Sequence, residues 1–594
     1  MMYLSAVKIS GRYYFHFYCR QGLYLLKVPI FSFRCFIYPF NMLIIFCFVL
    51  ALLFIYLLIY LYKKNILERK RREELQQDWG KPKDGRYFDF GSIENYFLNT
   101  ISESSDKLQL ITEKIATDLY LDEVFKLIDR TTSKLGQQFL YARLRTLDKD
   151  ITEIKIQDAL ADTMAVNEPL RINTQFILQD LEKNGSYYYQ DLIYAKKISR
   201  PSFMPLVYLL SILNIVCLLL SIFHPGFLLV FMGIFILNSG IHYWNKNSVS
   251  IHASSLAEFL KVFDVAKKLN ASPELKQHFP GSGDLIKTLS PLKRKMIGVK
   301  LDNMAEDDAA MIGFLLFELL KIAFNIEIIV FYAIIAAVLK KNEDLKKLFK
   351  YIGIIDTAIS IASFRSSADY YCKPDFAAGN SLNMVGLQHP LIASCVPNDL
   401  QLDHKNLLLT GSNMSGKTTF IRSAGINMIL AQTIFTCTAR TFSMPYAKIF
   451  SSVTIADSLL EEKSYYFEEM TIIKNFIMES AGPTPCFFIL DEIFKGTNTI
   501  ERVAAGKAIL SYLAKSNNLV FVSTHDTELN GLLQQEYDLY HFSETIADEE
   551  LVFDHTIKKG PLKTRNAIRI LEINDYPAEI IQDANATVDL LNRQ

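Results

Sequence analysis

The sequence predicts an α/β domain towards the carboxyl end of the chain, preceded by an all-α region that carries transmembrane helices. Short apolar runs with the composition of buried strands begin at Leu407, Cys486 and Leu519, and helical patterns separate them. This alternation favours a parallel sheet covered by helices. Before residue 376 the apolar spacing is mostly helical, and it includes charge-free runs of about twenty residues, the length that crosses a bilayer.

A glycine-rich loop follows the first predicted strand. Two glycines precede Lys-Thr at the P-loop spacing, between a strand and a helix. The backbone N–H groups and the helix N-terminus would bind phosphate, Lys417 would reach the β and γ phosphates, and Thr418 would ligate Mg²⁺. ATP and Mg²⁺ are therefore the expected cofactors. The expected nucleotide-binding residues are Gly411, Ser412, Asn413, Met414, Ser415, Gly416, Lys417, Thr418 and Thr419.

Acidic and histidine side chains follow the other two predicted strands. Asp491 and Glu492 come directly after the second strand, and His525 follows the third. Asp491 would hold Mg²⁺ with Thr418, while Glu492 would orient and deprotonate the attacking water. His525 would hydrogen-bond the γ-phosphate and respond to its loss. A pair of solvated acids and a structural histidine are the plainer alternatives, and the upstream P-loop argues against them.

These motifs resemble the ATPase domain of the MutS family, the DNA mismatch-repair ATPases, from His389 to about residue 586. The resemblance implies an α/β P-loop domain of the ABC type that hydrolyses ATP. Phe494 departs from the pattern, because it stands where the family usually has glycine. The shared features are His389-Pro390-Leu391, the loop residues Asn413-Met414, Asp491-Glu492-Ile493 followed by Gly496-Thr497, and Ser523-Thr524-His525.

The resemblance also implies a composite nucleotide site. Ser464, followed by Glu469, is similar to the segment with which this family completes the site of a neighbouring subunit. Two ATPase domains pair head to tail in that family, so Ser464 of one chain would cap the γ-phosphate bound by the other. A homodimer through the ATPase domains is expected. The expected catalytic residues are Glu492, His525, Lys417 and Ser464.

Composition and charge-free runs favour a membrane protein. Half of the residues are hydrophobic and the mean hydropathy is +0.15. Residues 42–62 contain no charge and are predicted to form a transmembrane helix, and the basic cluster that follows between residues 63 and 72 marks the cytoplasmic side. Residues 1–41 have two readings: a disordered extension, or an untranslated stretch with Met42 as the start of translation.

Residues 203–244 are predicted to form a transmembrane helical hairpin. Two charge-free runs flank the turn His224-Pro225-Gly226, and lysines lie outside both ends. A soluble hairpin is the alternative, and the lack of charge argues against it. The protein would be a multi-pass membrane protein whose ATPase domain is cytoplasmic; in a bacterium, the membrane would be the inner one.

The two remaining regions before residue 376 are predicted to be helical, and they and the ATPase domain are predicted to be cytoplasmic. Residues 63–202 contain a stretch, 127–136, that resembles the start of the MutS core domain, in which a helix ends at Gly136. Residues 245–375 form a helical core and lever, and residues 376–594 form the ATPase domain.

Residues 311–339 are apolar enough to suggest a further span. Four polar or charged residues interrupt the run, and each is costly at the centre of a bilayer. We therefore expect a buried lever helix that packs on the ATPase domain. The four residues are Glu318, Lys321, Asn325 and Glu327.

Two functions stay open for this chain. The resemblance implies DNA mismatch repair, with DNA as a partner and ATP hydrolysis coupled to motion of the lever helices. The predicted hairpin, however, occupies the position of the family's DNA clamp, and the formal net charge of zero gives no support for nucleic acid. The alternative is an ATP-switched protein that remodels a membrane or a partner without mismatch recognition. An ABC transporter is a weaker third reading, since the Leu-Ser-Gly-Gly-Gln signature is absent from the sequence.

Overall fold

The computed structural model describes most of the chain, which divides into two compact units, residues 1–77 and 78–594. The residues that it describes are 4–9, 12–19, 22–24, 31–101, 106–194, 201–297, 318–377, 379–412, 415–453, 465–494, 498–547, 550–562, 568, 571–572 and 576–591.

The first unit contains a small antiparallel sheet. Its strands β1 (Leu4–Ile9), β2 (Arg12–Cys19) and β3 (Gly22–Tyr24) pair in chain order. Disorder, one of the two readings of residues 1–41, does not hold for these strands. The physical reason is that β2 is dense in aromatic residues, which favour extended backbone.

A long helix, α1 (Phe31–Gln77), completes the first unit and includes the predicted span 42–62. Its apolar side chains at Phe48 and through residues 50–62 are exposed. The part Leu50–Gln77 is long and apolar enough to cross a bilayer.

The second unit begins with a helical region around a shared apolar core. Its first helices are short, and a two-stranded sheet formed by β4 (Lys107–Leu110) and β5 (Thr146–Asp148) lies among them. The helices are α2 (Phe90–Ile93), α3 (Asn95–Thr100), α4 (Glu113–Asp118), α5 (Leu121–Ile128), α6 (Lys134–Leu144), α7 (Thr152–Val166), α8 (Glu168–Leu178) and α9 (Tyr189–Ile193).

Gly136 lies inside a helix, so the expectation that a helix ends there is wrong. The turn comes earlier, between α5 and α6, where the Ser133 hydroxyl caps α6 by accepting a hydrogen bond of 2.9 Å from the Gly136 N–H. The Asp356 carboxylate fills the space beside Gly136 and accepts hydrogen bonds from the Thr132 and Ser133 N–H groups at 2.8 and 2.7 Å. Any side chain at Gly136 would overlap this carboxylate, which explains the glycine.

The predicted hairpin is present as two antiparallel apolar helices, α10 (Met204–Leu220) and α11 (Gly226–Leu269). Within α11 the part Gly226–Asn245 is long and apolar enough to cross a bilayer, while α10 is shorter. Many apolar side chains on the outer faces are exposed, among them Leu209, Ile212, Leu229 and Ile236. Helix α11 continues well past residue 244, so one helix joins the hairpin to the helical core. The helices α12 (Pro273–His278) and α13 (Ser282–Ile297) follow it.

The apolar segment that starts at residue 318 packs on the hairpin, and the expectation that it packs on the ATPase domain is wrong for its described part. Helical residues 318–323 lead to a break at Asn325, which has a left-handed φ of 48°, and then to α14 (Ile326–Lys340). The side-chain amides of Asn214 and Asn238 donate to the Ala323 carbonyl at 2.8 and 2.7 Å. These hydrogen bonds satisfy polar groups that are costly to bury alone, and they hold the segment against α10 and α11.

The helix α15 (Asn342–Ser367) lies at the centre of the second unit. Most of its side chains are buried, and it packs against α6 and α7. It leads directly into the α/β domain, so this helix connects the two parts of the unit.

The α/β domain contains the predicted parallel sheet. Its strand order is β11-β12-β13-β9-β14-β17, and only β17 runs antiparallel to its neighbour. The strands are β9 (Asn406–Thr410), β11 (Lys448–Ser452), β12 (Cys486–Asp491), β13 (Leu519–Thr524), β14 (Tyr537–His541) and β17 (Lys558–Lys559). The three strands predicted from apolar runs, β9, β12 and β13, are therefore confirmed as strands, and β13 lies between the other two.

Helices and two smaller sheets surround the parallel sheet. One small sheet has the order β6-β10-β7-β8, from β6 (Asp375–Phe376), β7 (Leu382–Leu387), β8 (Asn398–Leu402) and β10 (Thr441–Met444). The other is the hairpin of β15 (Glu544–Ala547) and β16 (Glu550–Phe553). The helices are α16 (Lys417–Ile434), α17 (Tyr465–Ser480), α18 (Thr499–Leu513), α19 (Glu528–Leu533) and α20 (Ala578–Leu591).

The contact between Gly136 and Asp356 predicts a destabilising alanine substitution. Because an added Cβ would overlap a carboxylate held by several hydrogen bonds, Gly136→Ala should lower the free energy of unfolding by about 1–3 kcal/mol. Gly531→Ala is the matched control, since nothing lies within 4 Å of its added Cβ inside α19. That variant should be neutral or more stable by up to about 1 kcal/mol. Thermal unfolding of the two purified variants measures the difference, and equal stabilities would contradict the packing described here.

Candidate functional site

The ends of three parallel strands bring the predicted site residues to one edge of the sheet. In the register of the sheet, Asp491 of β12 lies beside Ser523 of β13, and Thr524 lies beside Thr410 of β9. The carboxyl edge of such a sheet is where α/β proteins bind ligands, because the loops that follow the strands converge there.

The described residues of the P-loop close around the lysine side chain. Gly411 and Gly416 have φ values of 150° and 109°, and a side chain at Gly411 would collide with the Phe542 carbonyl oxygen. Lys417 begins α16 and is buried, and its Nζ donates to the carbonyl oxygens of Gly411 and Ser412 at 2.7 and 2.8 Å. The ammonium group therefore lies within the loop that would bind the phosphates.

The two predicted metal ligands lie within hydrogen-bonding distance of each other. The Thr418 hydroxyl donates to Asp491 Oδ2 at 2.7 Å, and the Ser523 hydroxyl donates to Asp491 Oδ1. Hydroxyl and carboxylate oxygens are the ligands that Mg²⁺ prefers, and the ion keeps several waters beside them. These residues therefore fit a magnesium ion.

Glu492 and His525 form a close pair beside this oxygen cluster. His525 Nε2 lies 2.5 Å from Glu492 Oε1. Glu492 has a left-handed φ of 54°, and its N–H donates to the Ser523 carbonyl at 2.8 Å. Asp526, which follows His525 in the chain, accepts two hydrogen bonds from Arg502 at 2.9 and 2.7 Å. These bonds fix the loop that carries His525.

Glu469 holds the backbone of the turn that follows the strand-end acids. Its buried carboxylate accepts a 2.6 Å hydrogen bond from the Phe494 N–H. Phe494 has a φ of 63°, a left-handed backbone conformation that costs about 1–2 kcal/mol for a residue with a side chain. The glycine usual at this position avoids that cost, whereas here the bond to Glu469 helps to hold the turn that follows the acids.

Two further residues near the P-loop were missed by the sequence analysis. The Ser412 hydroxyl donates to Glu544 Oε2 at 3.1 Å, and His555 Nδ1 lies 3.1 Å from the Ser415 carbonyl oxygen. Glu544 and His555 lie 132 and 140 positions along the chain from the loop residues that they contact, and neither belongs to a motif. Glu544 begins β15 and His555 follows β16, so only the fold brings them to the site.

His389 is buried and neutral at pH 7. Burial, together with the nearby Arg422 charge, lowers the pKa of His389 to about 4. Its Nδ1 accepts a 3.3 Å hydrogen bond from the Leu391 N–H, which requires the unprotonated nitrogen. The residue therefore stabilises the turn that leads to β8.

Three expected site residues lie outside the described part of the chain. These are Asn413 and Met414 of the loop and Ser464, the residue expected to act on a neighbouring subunit. Their roles remain predictions from the resemblance.

Comparison with known proteins finds one family model and several relatives that share part of the chain. Residues 407–592 match the family model for MutS domain V. The chain is 30% identical over 261 residues to the DNA mismatch repair protein MutS of Listeria monocytogenes serotype 4a (strain HCC23), an alignment that covers 42% of this chain and 30% of that protein. It is 31% identical over 261 residues to the protein of the same name from Staphylococcus haemolyticus (strain JCSC1435), covering 42% of this chain and 29% of that protein.

A third relative shows the same extent of similarity. The DNA mismatch repair protein MutS of Carboxydothermus hydrogenoformans (strain ATCC BAA-161 / DSM 6008 / Z-2901) is 29% identical over 273 residues, or 44% of this chain and 32% of that protein. The alignments thus span about a third of the length of the relatives. They support a MutS-type ATPase domain in this chain.

The burial of His389 predicts a pH-dependent stability. Unfolding returns its pKa from about 4 to 6.5, so between these values the unfolded chain binds a proton that the folded chain does not. The contribution of His389 to the free energy of unfolding is therefore lost as the pH falls below 6.5, and the loss is about 2 kcal/mol between pH 8 and pH 5. In His389→Gln this part of the loss should disappear, as measured by thermal unfolding across pH. His404→Asn, at a side chain that is 70% exposed, is the control and should keep the full loss. An unchanged pH profile in His389→Gln would contradict the assignment.

Proposed function

We propose that this chain is a membrane-anchored ATPase of the MutS family, and that it hydrolyses ATP at a site shared between two copies. The observation that carries the ATPase proposal is the contact between Thr418 and Asp491 at 2.7 Å, beside the Glu492–His525 pair. A hydroxyl at a helix N-terminus, a strand-end carboxylate and an adjacent second acid are the groups that ATP hydrolysis with Mg²⁺ requires.

Each described residue has a distinct part in the proposed reaction. The positive end of α16 and the loop N–H groups bind the phosphates, and Lys417 exchanges its bonds to the loop carbonyls for bonds to phosphate oxygens. Thr418 and Asp491 would hold Mg²⁺, and the ion would supply charge neutralisation on the phosphates. Glu492 accepts the proton of the attacking water.

His525 positions the base in this proposal. Its 2.5 Å contact with Glu492 holds the carboxylate in one orientation. The same ring nitrogen is a donor suited to a γ-phosphate oxygen, so the contact with Glu492 would change as the phosphate arrives and leaves. Arg502, through its two bonds to Asp526, keeps the histidine at this place.

The site is proposed to be completed by Ser464 of a second copy in a homodimer. This part rests on the resemblance of the segment and on the MutS names of the similar proteins. Anchoring in a membrane would raise the local concentration of neighbouring chains and favour the pair.

The route from the nucleotide to the helical region passes through Arg365 at the end of α15. Its guanidinium donates to the Phe435 carbonyl and to the Thr436 hydroxyl, both at 3.0 Å, just after α16 ends. It also donates to Asp158 of α7 at 2.6 Å. A change at the phosphate end of α16 would therefore act on the lever helix α15 through these bonds.

Membrane anchoring is supported by exposed apolar helices. Residues 50–62 of α1 and the outer faces of α10 and α11 present large apolar side chains to the surroundings, with Leu229 exposed by 78% and Tyr62 by 68%. Soluble monomers rarely expose contiguous apolar surface on this scale. The basic residues after residue 62 support the proposal that the ATPase domain is on the cytoplasmic side.

DNA mismatch repair is one form of this function, and ATP-switched remodelling of a membrane or a protein partner is the other. The names of the similar proteins favour DNA. The hairpin favours remodelling, because α11 joins its apolar part and the helical core in one continuous helix.

The assigned roles predict the behaviour of two variants. Glu492→Gln should lose about 10²–10⁴-fold in the rate of ATP hydrolysis while still binding ATP, because only the base is removed. Lys417→Ala should lose ATP binding as well, because a phosphate contact is removed. Steady-state phosphate release and binding of a fluorescent ATP analogue measure both effects. Glu528→Gln, in the first turn of α19, is the control and should retain the wild-type rate. A wild-type rate in either test variant would refute the assignment.

Mixing inactive variants tests the shared site. Ser464→Ala should lower the rate and leave ATP binding nearly intact. If Ser464 acts on the neighbouring chain, a mixture of Ser464→Ala and Glu492→Gln chains should regain about a quarter of the wild-type rate, since half of the pairs are mixed and each has one intact site. If the two variants exchange subunits and the mixture does not regain ATP hydrolysis, Ser464 acts within its own chain.

Flotation of proteoliposomes separates the two forms of the function. The full chain, reconstituted in liposomes, should float after an alkaline wash, and failure to float would refute the anchor. If DNA is the partner, labelled branched or mismatched duplex should float with it and be released as salt rises. If duplex does not change the rate of ATP hydrolysis, and no duplex floats with the liposomes in a salt-sensitive way, the remodelling form is favoured.

A further inference from the structure

Two cysteines lie directly opposite each other where the helical region meets the α/β domain. Cys372 and Cys437 form an antiparallel bridge, in which each N–H donates to the other's carbonyl oxygen, at 3.0 and 2.9 Å. Residues that exchange both hydrogen bonds in this way have Cα atoms about 5.5 Å apart. This separation lies within the range of about 4.4–6.8 Å found for disulfides.

The two thiols have different surroundings. Cys437 is completely buried, and its sulfur lies 3.9 Å from the Asn427 carbonyl oxygen. Cys372 is only partly buried. The hydrogen bond from Cys437 lowers the pKa of Cys372, whereas burial raises the pKa of Cys437. Cys372 is therefore the thiol that can ionise and reach a reagent in solvent.

The pair connects the two helices that matter for coupling. Cys372 follows the end of α15 at Ser367, and Cys437 follows the end of α16 at Ile434. Arg365 links the same two chain segments through its bonds to Phe435 and Thr436. A covalent bond between the cysteines would replace a junction that can rearrange with one that cannot.

We propose that Cys372 and Cys437 form a reversible disulfide when the chain meets a small-molecule disulfide such as glutathione disulfide, and that this bond slows ATP turnover. The effect on turnover rests on the proposed ATPase function, whereas formation of the disulfide does not. Reduced thiols at this junction are the active state, as expected for a reducing compartment, where disulfides are transient and sense redox conditions.

The exchange proceeds in two balanced steps. The Cys372 thiolate attacks one sulfur of glutathione disulfide, the sulfur–sulfur bond breaks, and glutathione thiolate leaves. The Cys437 thiol then loses its proton to the released glutathione thiolate or to water. Its sulfur attacks the Cys372 sulfur, and the second glutathione thiolate leaves. Two cysteine thiols are oxidised, and one glutathione disulfide is reduced to two molecules of glutathione.

The test follows the linked peptide and the ATPase rate separately. The purified full chain is incubated with glutathione disulfide, digested without reduction and analysed by mass spectrometry. A peptide joined through Cys372 and Cys437 is expected, with a several-fold lower rate of ATP hydrolysis that dithiothreitol restores. Oxidation should also raise the unfolding temperature, because the bond closes a loop of the chain.

Variants make the outcome specific. Cys372→Ser, or Cys372→Ala if serine impairs folding, should keep its rate and unfolding temperature in glutathione disulfide. Cys395→Ser should respond as the wild type does, since Cys395 instead contacts the His389 N–H at 3.2 Å. Absence of the linked peptide, or a linked peptide with an unchanged rate, would overturn the proposal. The reduced wild type could also show no ATP hydrolysis and still, on oxidation, form the linked peptide and gain thermal stability. That result would count against the ATPase function and not against the disulfide.

Discussion

The contact between Thr418 and Asp491 is the interaction on which the candidate site depends. It joins the first turn of α16 to the end of β12, two elements more than seventy residues apart in the chain. Asp491 also accepts the Ser523 hydroxyl bond, so one carboxylate ties together the ends of three adjacent elements. A carboxylate that accepts several hydrogen bonds is oriented before any metal arrives, and that lowers the cost of assembling the site.

Helix α16 carries this constraint through the molecule. Its first residue, Lys417, belongs to the nucleotide loop, while the residues after its last, Phe435 and Thr436, contact Arg365 of α15. In between, Gly425 lets the helix approach closely, because a Cβ there would lie 2.5 Å from Ile489 Cδ1. Close packing of this kind holds the helix firmly against the sheet along its length.

The helical region shows a different use of polar residues. The Asn214 and Asn238 side chains meet at the Ala323 carbonyl among apolar helices, and Lys321 pairs with Glu318 at 2.6 Å. Read along the sequence, Glu318, Lys321, Asn325 and Glu327 argue against a bilayer span, because each is costly at the centre of a bilayer. Lys321 and Glu318 offset part of this cost by pairing within the segment itself. The two asparagines that bond the Ala323 carbonyl lie more than eighty residues upstream, on α10 and α11.

The sequence by itself determined the candidate site residues of the α/β domain and the long apolar runs of the chain. Strand, loop and helix periodicities are local, and the spacing of Gly416, Lys417 and Thr418 sets a local geometry that needs no distant partner. Asp491 and His525 could be foreseen because parallel strands end at one edge. The tertiary structure alone decided that Glu544 and His555 reach the loop, that Asp356 requires Gly136, and that Cys372 faces Cys437. Each is a contact between residues far apart in the chain, and no local pattern specifies which distant residue fills a given space.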